Sequence, residues 1–289
     1  MDATKRFERI LLATDGSGAS KAAVDATIAL AKSPSAKVRV AHVWNLEVHH
    51  RHGVWDVELR SEAQRLVDAT VETLLRAGVM AEREICRADS EHVAAALANA
   101  AIDFGADLVV VGSRGLSDWQ SLIQGSISHQ LLSRVDCPLL VVRGWAAAAK
   151  SSRQVLLAIA GGDDIVPAAN AAIAAAGALG SRVLVLHVAR MITAGQSLVY
   201  AETDEEIRAT MSKTIELVEK AGITANGRVA RPGPVATAIA HVAEEWQADL
   251  IVMGSGRTGD LASIVLGSVS HDLLHVSSRP VLIAERVKV

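Results

Sequence analysis

Aromatic residues are scarce: Trp, Tyr and Phe together make up 3% of the 289 residues. The hydrophobic share is still 50%, much of it alanine, so closely packed helices are expected rather than a core built around large rings. Cysteine is nearly absent. Cys86 and Cys137 are too few for a disulfide framework and have no metal-type spacing, so both are expected as reduced structural thiols. Net charge is only −3 and the arginines form no basic stripe, which argues against general binding to nucleic acid or to a membrane surface. No long apolar run exists. Pro167–Gly180, the most apolar helix-like stretch, is shorter than the roughly 20 residues needed to cross a bilayer and reads as a buried helix. The N-terminal stretch to Ser17 lacks the apolar region of a secretory signal. A soluble, cytoplasmic protein is the expectation. There is no G-x-x-x-x-G-K-[ST], which excludes a P-loop enzyme.

What the chain does have, it has twice. Arg9–Ser17 (RILLATDGS) resembles Gln154–Gly162 (QVLLAIAGG), and Val38–Trp44 resembles Val183–Ala189. Ala106–Ser113 (ADLVVVGS) resembles Ala248–Ser255 (ADLIVMGS), Gln124–Leu132 resembles Leu266–Leu274, and Cys137–Arg143 resembles Arg279–Glu285. The first two blocks are offset by 145 residues and the last three by 142. So long a period, with the blocks in one order, marks duplication of a whole domain rather than a solenoid. The predicted domains are residues 1–146 and 152–289.

Within each copy, short Val, Ile and Leu runs alternate with helical patterns. Leu59, Ala63, Leu66, Val67, Thr70, Val71 and Leu74 recur at helical spacing, as do Ile207, Met211, Thr214, Ile215 and Val218. Thr203–Glu206 has the form of a capping box. Each copy therefore reads β-α-β-α-β-α-β-α-β, with its third strand weakest, near Ala81–Cys86 and Gly227–Ala230. The predicted fold is α/β: two tandem doubly wound, five-stranded parallel-sheet domains of Rossmann-like type.

In such a sheet a ligand sits beyond the carboxyl ends of the strands, where the strand order reverses. The loops after the first and fourth strands should flank that crevice. After the first lies Ala13-Thr14-Asp15-Gly16-Ser17. A carboxylate there can accept hydrogen bonds from ribose hydroxyls or an adenine amine, or it can cap the next helix. After the fourth, Gly112 and Gly115 are followed by Gly125-Ser126-Ile127-Ser128, which opens a helical pattern. Glycines allow close backbone approach, and a helix N-terminus favours phosphate. In the second copy Gly254–Gly259 (GSGRTG) spells G-x-G-x-x-G, a dinucleotide fingerprint. Only one strand follows it, and its counterpart Gly112–Ser117 lacks the pattern, so it reads instead as a rearranged phosphate loop.

These residues resemble the universal stress protein family, which carries G-x2-G-x9-G-[ST] after its fourth strand and an Asp-Gly-Ser type of turn after its first. The resemblance covers about residues 9–145 and 154–286. It implies an adenine nucleotide alpha hydrolase-like fold and an adenine nucleotide, ATP or its di- or monophosphate, with magnesium as companion ion. Ala13, Asp15 and Val43 would line the adenosine end; Gly112, Gly115, Gly125, Ser126, Ile127 and Ser128 would hold the phosphates. The second copy departs at two places. Ala160 stands where Asp15 does, and Arg257 where Gly115 does. Its site, Val188, Gly254, Arg257, Gly267, Ser268, Val269 and Ser270, is expected to be altered or degraded. The resemblance further implies that the final strands, Leu139–Arg143 and Val281–Ala284, pair the two domains with each other; a homodimer of the whole chain is compatible with it.

Three functional classes follow. The first is a regulatory, non-enzymatic stress-response protein that binds nucleotide mainly through its N-terminal domain. The second is a slow ATPase or nucleotidyl transferase, for which Asp118 is a candidate carboxylate, with Asp260 at the matching position of the second copy. The third is a scaffold whose crevices hold no nucleotide. His49–His52 (HHRH) reads as a solvated loop, His42 and His187 as satisfied core or crevice-edge residues, and His129 and His271 as helix-face or phosphate-side residues. Trp119 is a candidate ligand cover or partner contact.

Overall fold

The computed structural model describes residues 6–49, 53–56, 59–113, 127–145, 153–160, 165–189, 191–194, 197–230, 233–255 and 268–284. They fall into two compact units, one holding Phe7–Trp145 and the other Ala146–Val289 together with the segment Met1–Arg6.

The N-terminal unit runs β1 (Arg9–Ala13), α1 (Gly18–Leu30), β2 (Lys37–His49), β3 (Gly53–Asp56), α2 (Arg60–Arg76), β4 (Met80–Asp89), α3 (Val93–Phe104), β5 (Leu108–Gly112), α4 (Ile127–Leu132) and β6 (Leu139–Val142). Five strands are parallel, in the order β6-β5-β1-β2-β4. The centre of that sheet must be covered on both faces, and the sequence complies: Ile10, Leu11, Leu12, Leu108, Val109 and Val110 are all fully buried. Burial of each such side chain is worth about 1.5–3 kcal/mol. Strand β2 overshoots the parallel ladder. Its last residues, from Leu46 to His49, pair antiparallel with β3, so His49 ends a strand where a loop was expected; His50–His52 lie outside the described residues.

The C-terminal unit repeats the plan: β7 (Gln154–Ile159), α5 (Ile165–Leu179), β8 (Arg182–Val188), β9 (Met191–Ala194), β10 (Ser197–Tyr200), α6 (Asp204–Lys220), β11 (Ala225–Ala230), α7 (Val235–Glu245), β12 (Leu250–Gly254), α8 (Ser268–Val276) and β13 (Val281–Ala284). Its parallel order is β13-β12-β7-β8-β11. The hairpin β9–β10 stands apart from that sheet and was not expected from the sequence. Helix α5 is the alanine-rich stretch, with Ala168, Ala169, Ala171, Ala172 and Ala174–Ala176 buried. None of the described helices is long and apolar enough to cross a membrane.

The helical periodicities hold, with one correction. Ala63, Val67, Thr70, Val71 and Leu74 are buried on α2, but Leu59 is 63% exposed. It is the N-cap residue, one place before the helix, and so lies off the buried stripe. On α6 the capping box forms: Thr203 Oγ1 accepts from the Glu206 N–H at 3.2 Å, and Glu206 Oε2 accepts from the Thr203 N–H at 2.7 Å. Donation from the Thr203 N–H first, and from the Thr203 hydroxyl at 2.9 Å second, holds the Glu206 carboxyl below its ordinary range.

The repeated Ala-Asp-Leu triplet also has a structural reason. Asp107 accepts from the backbone N–H groups of Glu8 at 2.8 Å and Arg9 at 3.1 Å, and Asp249 accepts from that of Gln154 at 2.8 Å. Each carboxylate anchors the start of a copy's first strand beside its fourth. Neither Cys86 nor Cys137 is in a disulfide.

Candidate functional site

In the N-terminal unit the chain builds outward from β1 through β2 to β4, then crosses back to add β5 and β6 on the other side. The strand order thus reverses between β1 and β5, the place where a doubly wound sheet opens a crevice. Ala13 sits at its floor, paired with Ala41 of β2 on one side and Val111 of β5 on the other. Val43 lies two residues beyond Ala41, and Gly112 follows Val111. Ala13, Val43 and Gly112 are all half-buried. Sequence-remote residues expected around one ligand therefore meet at one end of the sheet.

The turn leaving β1 is fixed by its polar side chains. Ser17, not Asp15, caps α1: Ser17 Oγ accepts from the Ser20 N–H at 3.2 Å. Asp15 stands two residues earlier, exposed, with Oδ1 accepting from the Ser17 N–H at 3.0 Å. This answers the capping alternative, because the carboxylate orders the turn without entering the helix cap. Gly16 between them has φ +75, a left-handed conformation that other residues adopt only with strain, and a Cβ there would lie 3.0 Å from Leu66 Cδ1. Below the turn, the Thr14 and Ser20 hydroxyls are 2.5 Å apart and buried, locking the end of β1 to the first turn of α1.

Gly112 meets the same helix turn from the β5 side. A Cβ on it would stand 2.6 Å from the Ala19 carbonyl carbon and 2.7 Å from Ser20 N. No side chain fits there. The start of the Gly-rich loop is thereby held against the N-terminus of α1.

His42 takes the core position expected of it, and Trp44 adds a feature that the sequence did not mark. The buried His42 ring places Nδ1 2.7 Å from the Thr14 carbonyl oxygen, tying β2 to the turn. The half-buried Trp44 indole has the Arg87 and Arg60 guanidinium carbons 5.3 and 6.0 Å from its ring centroid. Cys86, paired with Val43 in the ladder, has its thiol pushed up to about 11, first by burial and then by Glu84, with Arg39 opposing.

The C-terminal crevice is the same backbone with other side chains. Ala158 pairs with Leu186 and Met253, so Val188 and Gly254 fall where Val43 and Gly112 do. Val188 is buried, however, where Val43 is half-exposed. Ala160, exposed at the place of Asp15, brings no carboxylate there. Ser270 is 1% exposed and donates its hydroxyl to the Ser255 carbonyl at 3.4 Å, which turns it inward rather than toward a ligand; Ser268 is exposed and Val269 half-buried. The expectation of a satisfied histidine also fails in part. His187 is fully buried, with Nε2 3.0 Å from Glu202 Oε2, yet its Nδ1 has no hydrogen-bond partner among the described residues.

Gly115, Asp118, Trp119, Gly125, Ser126, Arg257, Asp260 and Gly267 lie outside the described residues. Ile127 and Ser128 open α4. Among the described residues no group of three or more His, Cys, Asp or Glu is arranged to hold a metal.

Comparison with known proteins gives one consistent answer. A sequence model of the universal stress protein family matches residues 6–143 and again residues 151–285. Universal stress protein YxiE of Bacillus subtilis is 30% identical over 150 residues, which are 47% of this chain and 99% of that protein. A universal stress protein of Thermus aquaticus is 33% identical over 138 residues, again 47% of this chain and 99% of its own. Among solved structures, a universal stress protein from Archaeoglobus fulgidus superposes with a TM-score of 0.69 over 98% of both chains at 20% identity, a likeness of fold.

Proposed function

Because the chain belongs to the universal stress protein family in both of its halves, we propose that its N-terminal unit binds an adenine nucleotide, ATP or its di- or monophosphate, and uses the bound state as a regulatory signal without turning the nucleotide over. The observation that carries the reading is the packing of Gly112 on Ala19 and Ser20. It supports a phosphate cradle, because it brings the start of the Gly112-x2-Gly115-x9-Gly125-Ser126 segment to the N-terminal end of α1, where the helix dipole favours an anion.

The residues fit such a ligand. Ala13 and Val43 offer small apolar surface to a base, Asp15 is exposed beside them to accept from hydroxyl or amine donors, and the glycines supply backbone N–H groups. Phosphates held there would bring magnesium with them. In the C-terminal unit Ala160 and Arg257 change both ends of the same cradle, so nucleotide affinity resides mainly in the N-terminal one.

Reciprocal exchange of the loop residue tests this. Equilibrium dialysis with labelled ATP should show saturable binding that Gly115→Arg weakens and that Arg257→Gly leaves intact. Wild-type protein that takes up no ATP, or binding unaffected by Gly115→Arg, would overturn the reading.

A further inference from the structure

Helix α8 carries two histidines one turn apart. The ring centroids of His271 and His275 are 4.6 Å apart, with planes tilted by 57°; spacing of four residues puts both on one helix face. Both rings are half-exposed. The Asp272 carboxylate oxygen lies 3.4 Å from His271 Nδ1. A carboxylate at one ring nitrogen favours the proton there and leaves the lone pair on Nε2, the arrangement that orients and strengthens a metal-binding imidazole.

The duplication supplies an internal comparison. At the offset of 142 that relates the two Gly-loop regions, His271 corresponds to His129 but His275 corresponds to Ser133. The pair exists only in the copy whose nucleotide residues are altered. We propose that His271 and His275 chelate a divalent transition metal of the zinc class, a borderline ion that imidazole suits. Two protein ligands hold it. Water fills the rest of its shell, since the described residues offer no third His, Cys, Asp or Glu in the cluster. Binding clamps the first and last turns of α8, the helix that directly follows the altered loop, and stabilises the C-terminal unit by mass action.

Isothermal titration of the full chain with Zn²⁺ tests the site. His49, His50 and His52 form a second imidazole-rich stretch, so the titration is run with all three changed to serine. Zinc binding should persist in that background and weaken at least about tenfold when either His271→Ser or His275→Ser is added, with Asp272→Asn weakening it by about tenfold. His275→Gln, which keeps a polar side chain of similar length, should lose binding equally. Metal-free melting temperatures matching the parent distinguish loss of a ligand from loss of the fold. Zinc binding that vanishes with the 49–52 stretch, or that survives both His275 substitutions, overturns the proposal.

Discussion

A methyl group on Gly112 would stand 2.6 Å from the carbonyl carbon of Ala19, and the two residues come from elements separated by most of the domain. Since the opposing atoms are backbone, the contact cannot be relieved by a side-chain rotation. Gly112→Ala should therefore push β5 and α1 apart, lowering stability by about 1–3 kcal/mol in urea unfolding and weakening ATP binding with it. Unchanged stability and affinity would mean that the approach is not a constraint on the site.

In the proposed nucleotide site Asp15 would have two separable tasks. Its Oδ1 accepts from the Ser17 N–H, which an asparagine oxygen can also do, while only the carboxylate gives a charged acceptor to the ligand. Loss of a charged hydrogen bond costs about 1.5–3 kcal/mol, or roughly ten- to a hundredfold in affinity. Asp15→Asn should lose that affinity while keeping the melting temperature; Asp15→Ala should lose the affinity and some stability of the turn. Full ATP affinity in both variants would remove Asp15 from the site.

The capping box of α6 has a pH signature. The Glu206 carboxyl is held below its ordinary value of 4.5 by the Thr203 backbone and hydroxyl donors, so the folded state favours its ionised form. Its contribution is fully present above pH 4.5 and is lost as pH falls through the lower folded value. Wild type should thus exceed Glu206→Gln in stability at pH 7, with the difference closing below pH 4.5. Thr203→Ala should cost about 1 kcal/mol at pH 7. A Glu206→Gln difference that widened on acidification would contradict the sign.

The thiols offer a chemical test. Cys86 is pushed up to about 11, so at neutral pH it presents no thiolate, and Cys137 is buried away from reagent. A disulfide reagent should label both slowly in native protein and rapidly in denaturant. Immediate native labelling of Cys86 would show that its environment is more open.

Much of this architecture is legible in the sequence because it is written as burial. Runs such as Ile10–Leu12 and Leu108–Val111 have no polar alternation, and a strand buried on both faces needs none. Thr203–Glu206 is legible because a capping box is local. What escapes depends on contacts between remote segments or on competition between neighbours. Asp15 and Ser17 are both good caps, and only the turn geometry assigns the role to Ser17. The Asp107 and Asp249 anchors are repeated letters whose purpose appears only once the starts of the first and fourth strands are side by side. The β2 overshoot did leave a trace in the alternation of Trp44, Leu46 and Val48, which the histidine-rich stretch beyond it obscured. Gly112 was legible as a loop glycine, but its contact with Ala19 belongs to the folded sheet.

The most direct measurement of the central claim is a count of ATP bound per chain at saturation, with the nucleotide recovered and analysed afterwards. The account predicts a single high-affinity equivalent, abolished or weakened at least about tenfold by Asp15→Ala, with the ATP recovered intact. No bound nucleotide, or a high-affinity equivalent that survives Asp15→Ala and Gly115→Arg together, would contradict it.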